Sequence, residues 1–122
     1  MAHGSPISRE DTVYPSVTRY ALEKKLAGER PDILVCGHTH IPFIKKIAGI
    51  NVINCGSTGQ PVDGDPHPSY ALLHLKQTGA LSGRIIRFSY PQAELLRAIE
   101  SSSLPHYLAD DFISCGKKRE KK

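Results

Sequence analysis

Residues 32–61 read DILVCGHTHIPFIKKIAGINVINCGSTGQP, and this stretch decides the fold. Its opening run, Ile33-Leu34-Val35-Cys36, has the length of a buried strand and is too short for a helix. The run stops at Gly37, and His38 and His40 follow with only Thr39 between them. In an extended backbone, side chains two apart share a face, so the spacing predicts two imidazoles on one side of the chain. Apolar segments at 43–47 and 50–54 flank Ala48-Gly49 and predict a β-hairpin, with Lys45 and Lys46 marking the first as an edge or half-exposed strand. A glycine-rich turn, Cys55-Gly56-Ser57-Thr58-Gly59, closes the stretch. Open α/β sheets bind ligands at the carboxyl ends of their strands, which is where these polar groups fall. Imidazole is the commonest protein metal ligand and suits zinc, iron and nickel. Two at i and i+2 hold either one ion or one each of a pair roughly 3.5–4 Å apart. His-x-His also occurs on solvated loops, so residue types alone leave a metal centre and a polar loop both open.

Upstream, the chain opens Met1-Ala2-His3-Gly4-Ser5-Pro6. Expression vectors leave similar residues at a chain start; alternatively, His3 is a third ligand on a Gly-Pro turn at a strand end. Ser16 is positioned to cap a helix running to about Ala27, with Val17, Tyr20, Ala21 and Leu26 inward. Gly28 stops it, and Glu29-Arg30-Pro31 leads into the strand at Ile33. Alternation of helix, short loop and strand implies a mixed β-sheet with flanking helices, an α/β fold.

Downstream, residues 60–68 are too rich in proline and glycine to be anything but loop. Residues 69–75 predict a strand, 77–80 a turn, and 83–90 a returning strand. Pro91 starts a helix to about Ser101 with an apolar face of Leu95, Leu96 and Ile99, and residues 104–113 add a short helix. His74, in a strand, and His106, in the last helix, read as packed or surface residues and not as ligands.

The 122 residues amount to at most one domain, with ordinary apolar content for a globular chain. No apolar run approaches the roughly 20 residues that span a bilayer, and no secretory leader opens the chain, so no membrane partner is expected and the expected location is cytoplasmic. The net charge of +4 sits in the tail at 117–122, which holds five basic residues and one acidic one; the rest balances at eleven of each sign. Binding a duplex usually needs a clustered basic face, so nucleic acid is not indicated beyond a possible nucleotide substrate, and the tail reads as solvated and disordered. Cys36, Cys55 and Cys115 form no paired framework. Cys36 reads as a small buried hydrophobe, and for Cys55, which is closer to the histidines, contact with a metal is the lesser alternative.

The ordered string Gly37-His38-Thr39-His40, Asn54-x-Gly56-Ser57 and Gly59-Gln60-Pro61-x-Asp63-Gly64-Asp65-Pro66-x-x-Ser69-Tyr70-Ala71 resembles the carboxyl-terminal half of a calcineurin-like metallophosphoesterase of the small bacterial and archaeal type. The likeness runs from His3-Gly4-Ser5-Pro6 to Leu104-Pro105, and makes residues 1–116 one half of a four-layer αββα sandwich. It implies that His3 and His38 bind one metal of a pair and His40 the other, with Gly37, Thr39, Asn54, Gly56 and Ser57 as structural loop residues beside them. The family's two divalent ions (manganese, iron, nickel or zinc) activate a water that attacks a phosphate ester in line. The family's Asp-x-His, Gly-Asp and Gly-Asn-His motifs, which hold the bridging carboxylate and the histidine that assists the leaving group, precede the His-Gly-x-Pro turn and are not in this sequence. The resemblance therefore implies a truncated domain that by itself binds at most one ion loosely, with weak or no activity, and whose partner is the missing half or a second copy. It does not choose between phosphodiesters and phosphomonoesters. A non-catalytic interaction module on the same fold is the alternative, since some relatives such as a retromer subunit use it for protein contacts. Cys55 and Val62 depart from the family's usual proline and arginine, and Gly64-Asp65-Pro66-His67, which mimics two of the absent motifs, reads as a plain turn.

Overall fold

The computed structural model of the chain describes residues 1–115; the basic tail at 117–122 lies outside the described residues. The apolar run forms strand β1 (Ile33–Cys36), and the hairpin forms β2 (Phe43–Ile47) and β3 (Ile50–Asn54). β3 is central: it pairs parallel with β1 and antiparallel with β2. This leaves β2 at an edge, and its Lys45 and Lys46 are exposed there. The two-residue turn at Ala48-Gly49 has both residues at positive φ, the geometry whose twist matches a tight hairpin. A second pair, β4 (Ser69–Leu75) and β5 (Leu81–Arg87), is antiparallel. The tip of Ile44 on β2 lies against Gly83 of β5, so the two sheets meet there.

Helix α1 (Arg19–Lys25) covers the other face of the first sheet. Its Leu22 and the following Leu26 pack with Val13, Leu34, Cys36, Ile47, Ile50 and Val52 into one core. Full burial of a leucine or valine contributes about 1.5–3 kcal/mol, so this cluster anchors β1 beneath the histidine loop. The helix starts later than the sequence predicts. Val17 N–H bonds to the Tyr14 carbonyl in a turn, and the cap is Thr18, whose hydroxyl accepts from Ala21 N–H at 3.2 Å. That start turns Tyr20 outward, with the Lys24 ammonium 4.3 Å from the centre of its ring.

β5 likewise begins earlier than predicted. The turn at Gly79 is tight, with Gly79 N–H on the Lys76 carbonyl, so pairing resumes at Leu81. Helices α2 (Gln92–Glu100) and α3 (Tyr107–Ser114) complete the fold. α2 half-buries Leu95, Leu96 and Ile99, as its pattern predicts, whereas Leu104 stays exposed ahead of α3. A chain of ring contacts, Tyr70–Phe88–Tyr90–Phe112, ties β4 to α3. The result is a mixed α/β architecture of sheets with flanking helices. Among the described residues no helix is long and apolar enough to cross a membrane.

Candidate metal centre

β1 delivers Gly37, His38, Thr39 and His40 at its carboxyl end, and the backbone there is not extended. Thr39 N–H donates to the Gly37 carbonyl at 2.7 Å, closing a three-residue turn around His38. His38 and His40 both sit in the left-handed region, at φ 63 and 57. Side chains there cost of order 1–3 kcal/mol each and persist only where the surroundings over-determine them. The constraint comes from Asn54, which is fully buried at the end of β3. Its amide nitrogen donates to the Gly37 carbonyl at 2.8 Å and to the Thr39 hydroxyl at 2.9 Å, and its oxygen accepts from Gly56 N–H at 3.0 Å. One amide thus spans both sides of the histidine loop.

His3 reaches the same place from the chain start. Ala2 N–H bonds to the Val35 carbonyl, and Gly37 N–H bonds to the His3 carbonyl at 2.9 Å, so residues 2 and 3 lie along the outer edge of β1. The turn that follows requires glycine, because a Cβ on Gly4 would stand 2.1 Å from the Asp11 carbonyl oxygen. Asp11 itself pairs with Lys25 of α1. Burial pushes the Asp11 carboxyl up, but hydrogen bonds from Lys25, Ser5 and Thr12 outweigh it and hold it below the usual carboxylate range.

The outcome is a pair of imidazoles face to edge: Nε2 of His3 lies 2.9 Å from Nδ1 of His38. Two metal–nitrogen bonds of about 2.1 Å at right angles span about 3 Å, so these two nitrogens fit adjacent positions on one ion. His40 is held differently. Its Nδ1 is 2.8 Å from the Gln60 carbonyl oxygen, which only accepts, so Nδ1 carries the proton and Nε2 is the nitrogen left with a lone pair. Among the described residues no three His, Cys, Asp or Glu side chains gather closely enough to hold an ion, so the structure brings together His3 and His38 but does not add His40 to that cluster. The donor set that is present, imidazole nitrogens with one ring held by a carbonyl, is of the type that binds a divalent transition metal.

The remaining loop residues support this arrangement. Gly56 has φ +75, and a Cβ there would lie 2.1 Å from the Ser69 hydroxyl, which itself bonds to the Cys55 carbonyl. The Ser57 hydroxyl accepts from Gln60 N–H at 2.8 Å. Cys36 is buried with its thiol on the Ile53 carbonyl, and burial first, then the neighbouring Cys55, pushes it up to about 11. Gly64-Asp65-Pro66-His67 is a turn: Asp65 accepts from His67 N–H and its ring, and Arg87 of β5 holds the His67 carbonyl and Asp63. His74 and His106 are exposed. Sequence reasoning missed the Gln60 carbonyl, since every residue has one, and the burial of Ser69, which enters the sequence reading only as a member of the motif string and the first residue of a strand.

Residues 1–78 match the model of the calcineurin-like phosphoesterase superfamily domain. The chain is 40% identical over 63 residues to a probable metallophosphoesterase of Mycoplasma pneumoniae, a match covering 50% of this chain and 36% of that protein. It is similar in fold to a metallophosphoesterase from Sphaerobacter thermophilus (TM-score 0.73, 22% identity, 93% of this chain and 53% of that one). A hypothetical protein of Pyrococcus horikoshii is similar too (TM-score 0.78, 18% identity, 96% and 46%). The chain therefore spans about half the length of these solved structures and about a third of the curated relative. Because the superfamily match runs over all three histidines of this site and the loops that hold them, the chain belongs to the calcineurin-like phosphoesterase superfamily.

Proposed function

We propose that this chain supplies imidazole ligands to a metal-dependent phosphoesterase, with His3 and His38 on one divalent ion and His40 on a second. The observation that carries the reading is the 2.9 Å approach of Nε2 of His3 to Nδ1 of His38, made by two separate turns. Bound divalent ions supply Lewis acidity and an activated water for attack on a phosphodiester or phosphomonoester. The chain's own work is orientation: Asn54 fixes the His38 turn, the edge of β1 fixes His3, and the Gln60 carbonyl fixes the His40 ring. Manganese, iron, nickel and zinc are the metals proposed from the family.

Alone, the chain holds at most one ion, loosely, because two imidazoles offer few donors and no charge to offset a dication. Hydrolysis of a simple phosphodiester by the chain alone is then weak or absent. Loading the metal-stripped chain with manganese and counting ions per chain tests this. One ion or fewer, lost in His38→Ala, is expected; two tightly held ions with rapid turnover overturn the incompleteness, and no uptake at millimolar metal overturns the metal reading.

The proposed partner is another polypeptide, either the complementary half of such a domain or a second copy, that covers the outer face of β4. Tyr70 and Leu72 stand on that face, 45% and 48% exposed. The same exposed face suits a non-catalytic interaction module, which would need no metal at His3 and His38. Light scattering that finds a stable monomer without hydrophobic-dye binding counts against any such partner.

A further inference from the structure

The hairpin of β4 and β5 has two faces that differ in cover. On the inner face Leu73 stands opposite Gly83, and the tip of Ile44 from β2 meets them there. On the outer face the register sets Tyr70 opposite Ile86 and Leu72 opposite Arg84. The Tyr70 ring centre lies 6.0 Å from that of Phe88, just past the end of β5. Tyr70, Leu72 and Phe88 are exposed, and a shallow cavity of about 240 Å³ opens among Leu72, His74 and Arg84. A two-stranded hairpin is marginally stable by itself, so an apolar face of this kind calls for a cover.

Charge and shape both bear on what that cover is. Residues 69–90 contain no aspartate or glutamate, and their cations are Lys76, Arg84 and Arg87. Arg87 is held by Asp63 and the His67 carbonyl, whereas Arg84 makes no hydrogen bond or ion pair among the described residues. A second copy applied by the same face would bring cations together with no carboxylate to receive them. Two strands about 4.8 Å apart make a ribbon about 10 Å wide, which is the diameter of one α-helix. The seven residues of β4 run about 24 Å, the length of about 16 helical residues.

We propose that the outer face of the β4–β5 hairpin docks one amphipathic helix of another polypeptide. That helix lays apolar residues at i, i+3 or i+4, and i+7 along Tyr70, Leu72 and Ile86, and it sets a carboxylate against Arg84. The proposal rests on the reading that a second polypeptide covers this face. The face shares no residue with the histidine loop, so the docking does not depend on a metal.

The test selects a displayed library of helices of about 16 residues, randomised on one face, against the full chain, and follows the chain alone by light scattering. Enriched helices are expected to carry the apolar stripe with a Glu or Asp beside it, and to bind Leu72→Asp about 10-fold more weakly than the wild type. Arg84→Glu is expected to lose the acidic helices and to regain them when their acid is changed to Arg. Amide signals of the histidine loop stay in place in both variants, which a general loss of structure would not allow. Enriched helices that share no acid, or that bind Leu72→Asp as tightly as the wild type, overturn the proposal. A chain that pairs with itself through this face, the pair lost in Leu72→Asp, overturns the helix and keeps the partner reading. A monomer that enriches no helix overturns both.

Discussion

Nε2 of His3 and Nδ1 of His38 stand 2.9 Å apart although 35 positions separate them in the chain. The pairing follows from the edge of β1, which takes residues 2 and 3 as neighbours, and from the reversed backbone at His38. At that distance one ring's N–H can donate to the other's lone pair, and a cation held between the two nitrogens would take the place of that hydrogen bond.

Asn54→Ala removes the amide that spans the histidine loop: it strands the Gly56 N–H and leaves the Thr39 hydroxyl and the Gly37 carbonyl with one hydrogen bond fewer each. The expected loss is about 2–4 kcal/mol by urea denaturation, since each buried group left without a partner costs about 1–3 kcal/mol. Asn54→Asp should be no better, because a carboxylate keeps the acceptor for Gly56 but loses both donors. A wild-type midpoint in either variant contradicts the role given to Asn54.

Gly56→Ala and Gly49→Ala both place a side chain at positive φ, but only Gly56 has a neighbour in the way, the Ser69 hydroxyl. Gly49→Ala should cost about 1–2 kcal/mol, the backbone term alone. Gly56→Ala should cost clearly more and also shift the amide signals of Cys55 and Ser69. Equal melting temperatures for the two variants would show that the close packing at Gly56 carries no energy.

Asp11 links the His3 turn to α1 through Lys25, and its folded pKa lies below the ordinary value. A carboxyl depressed on folding contributes stability above its unfolded pKa, near 3.9, and loses it as pH falls through the lower folded value. Stability should therefore drop with acidification through and below that range, and Asp11→Asn should reduce the slope. Parallel acid-unfolding curves for wild type and Asp11→Asn would contradict this.

Burial disfavours the thiolate and pushes Cys36 up to about 11 from an ordinary 9.0. A raised pKa means stability complete below pH 9 and lost as pH climbs through 11. At pH 8 a thiol reagent should modify half-exposed Cys55 and spare buried Cys36 and Cys115 until the chain unfolds. Mass spectrometry that finds Cys36 labelled first would count against this burial.

Much of the fold was legible because the periodicities are unambiguous. The strands at 33–36, 43–47, 50–54 and 69–75 fall where the apolar runs and the Ala48-Gly49 turn put them. The start of α1 was not, since Ser16 and Thr18 are both good caps and only the Tyr14–Val17 turn decides between them. At the site, the family resemblance points to His3, His38 and His40 together, whereas the spacing argument for aligning His38 with His40 does not hold. An i, i+2 spacing places two rings on one face only in extended backbone, and His38 and His40 are both left-handed. What unites His38 with His3, and separates His40 toward Gln60, is set by Asn54 and two loop backbones, groups whose reach no spacing rule encodes.

The central claim is that His3 and His38 are two ligands of one ion. Calorimetric titration of the metal-stripped chain with manganese or cobalt, for the wild type, His3→Ala, His38→Ala and the exposed control His74→Ala, tests it most directly. The predicted result is weak binding of a single ion in the wild type and His74→Ala, weakened at least 10-fold in His3→Ala and His38→Ala alike. Equal affinity in all four chains would contradict it.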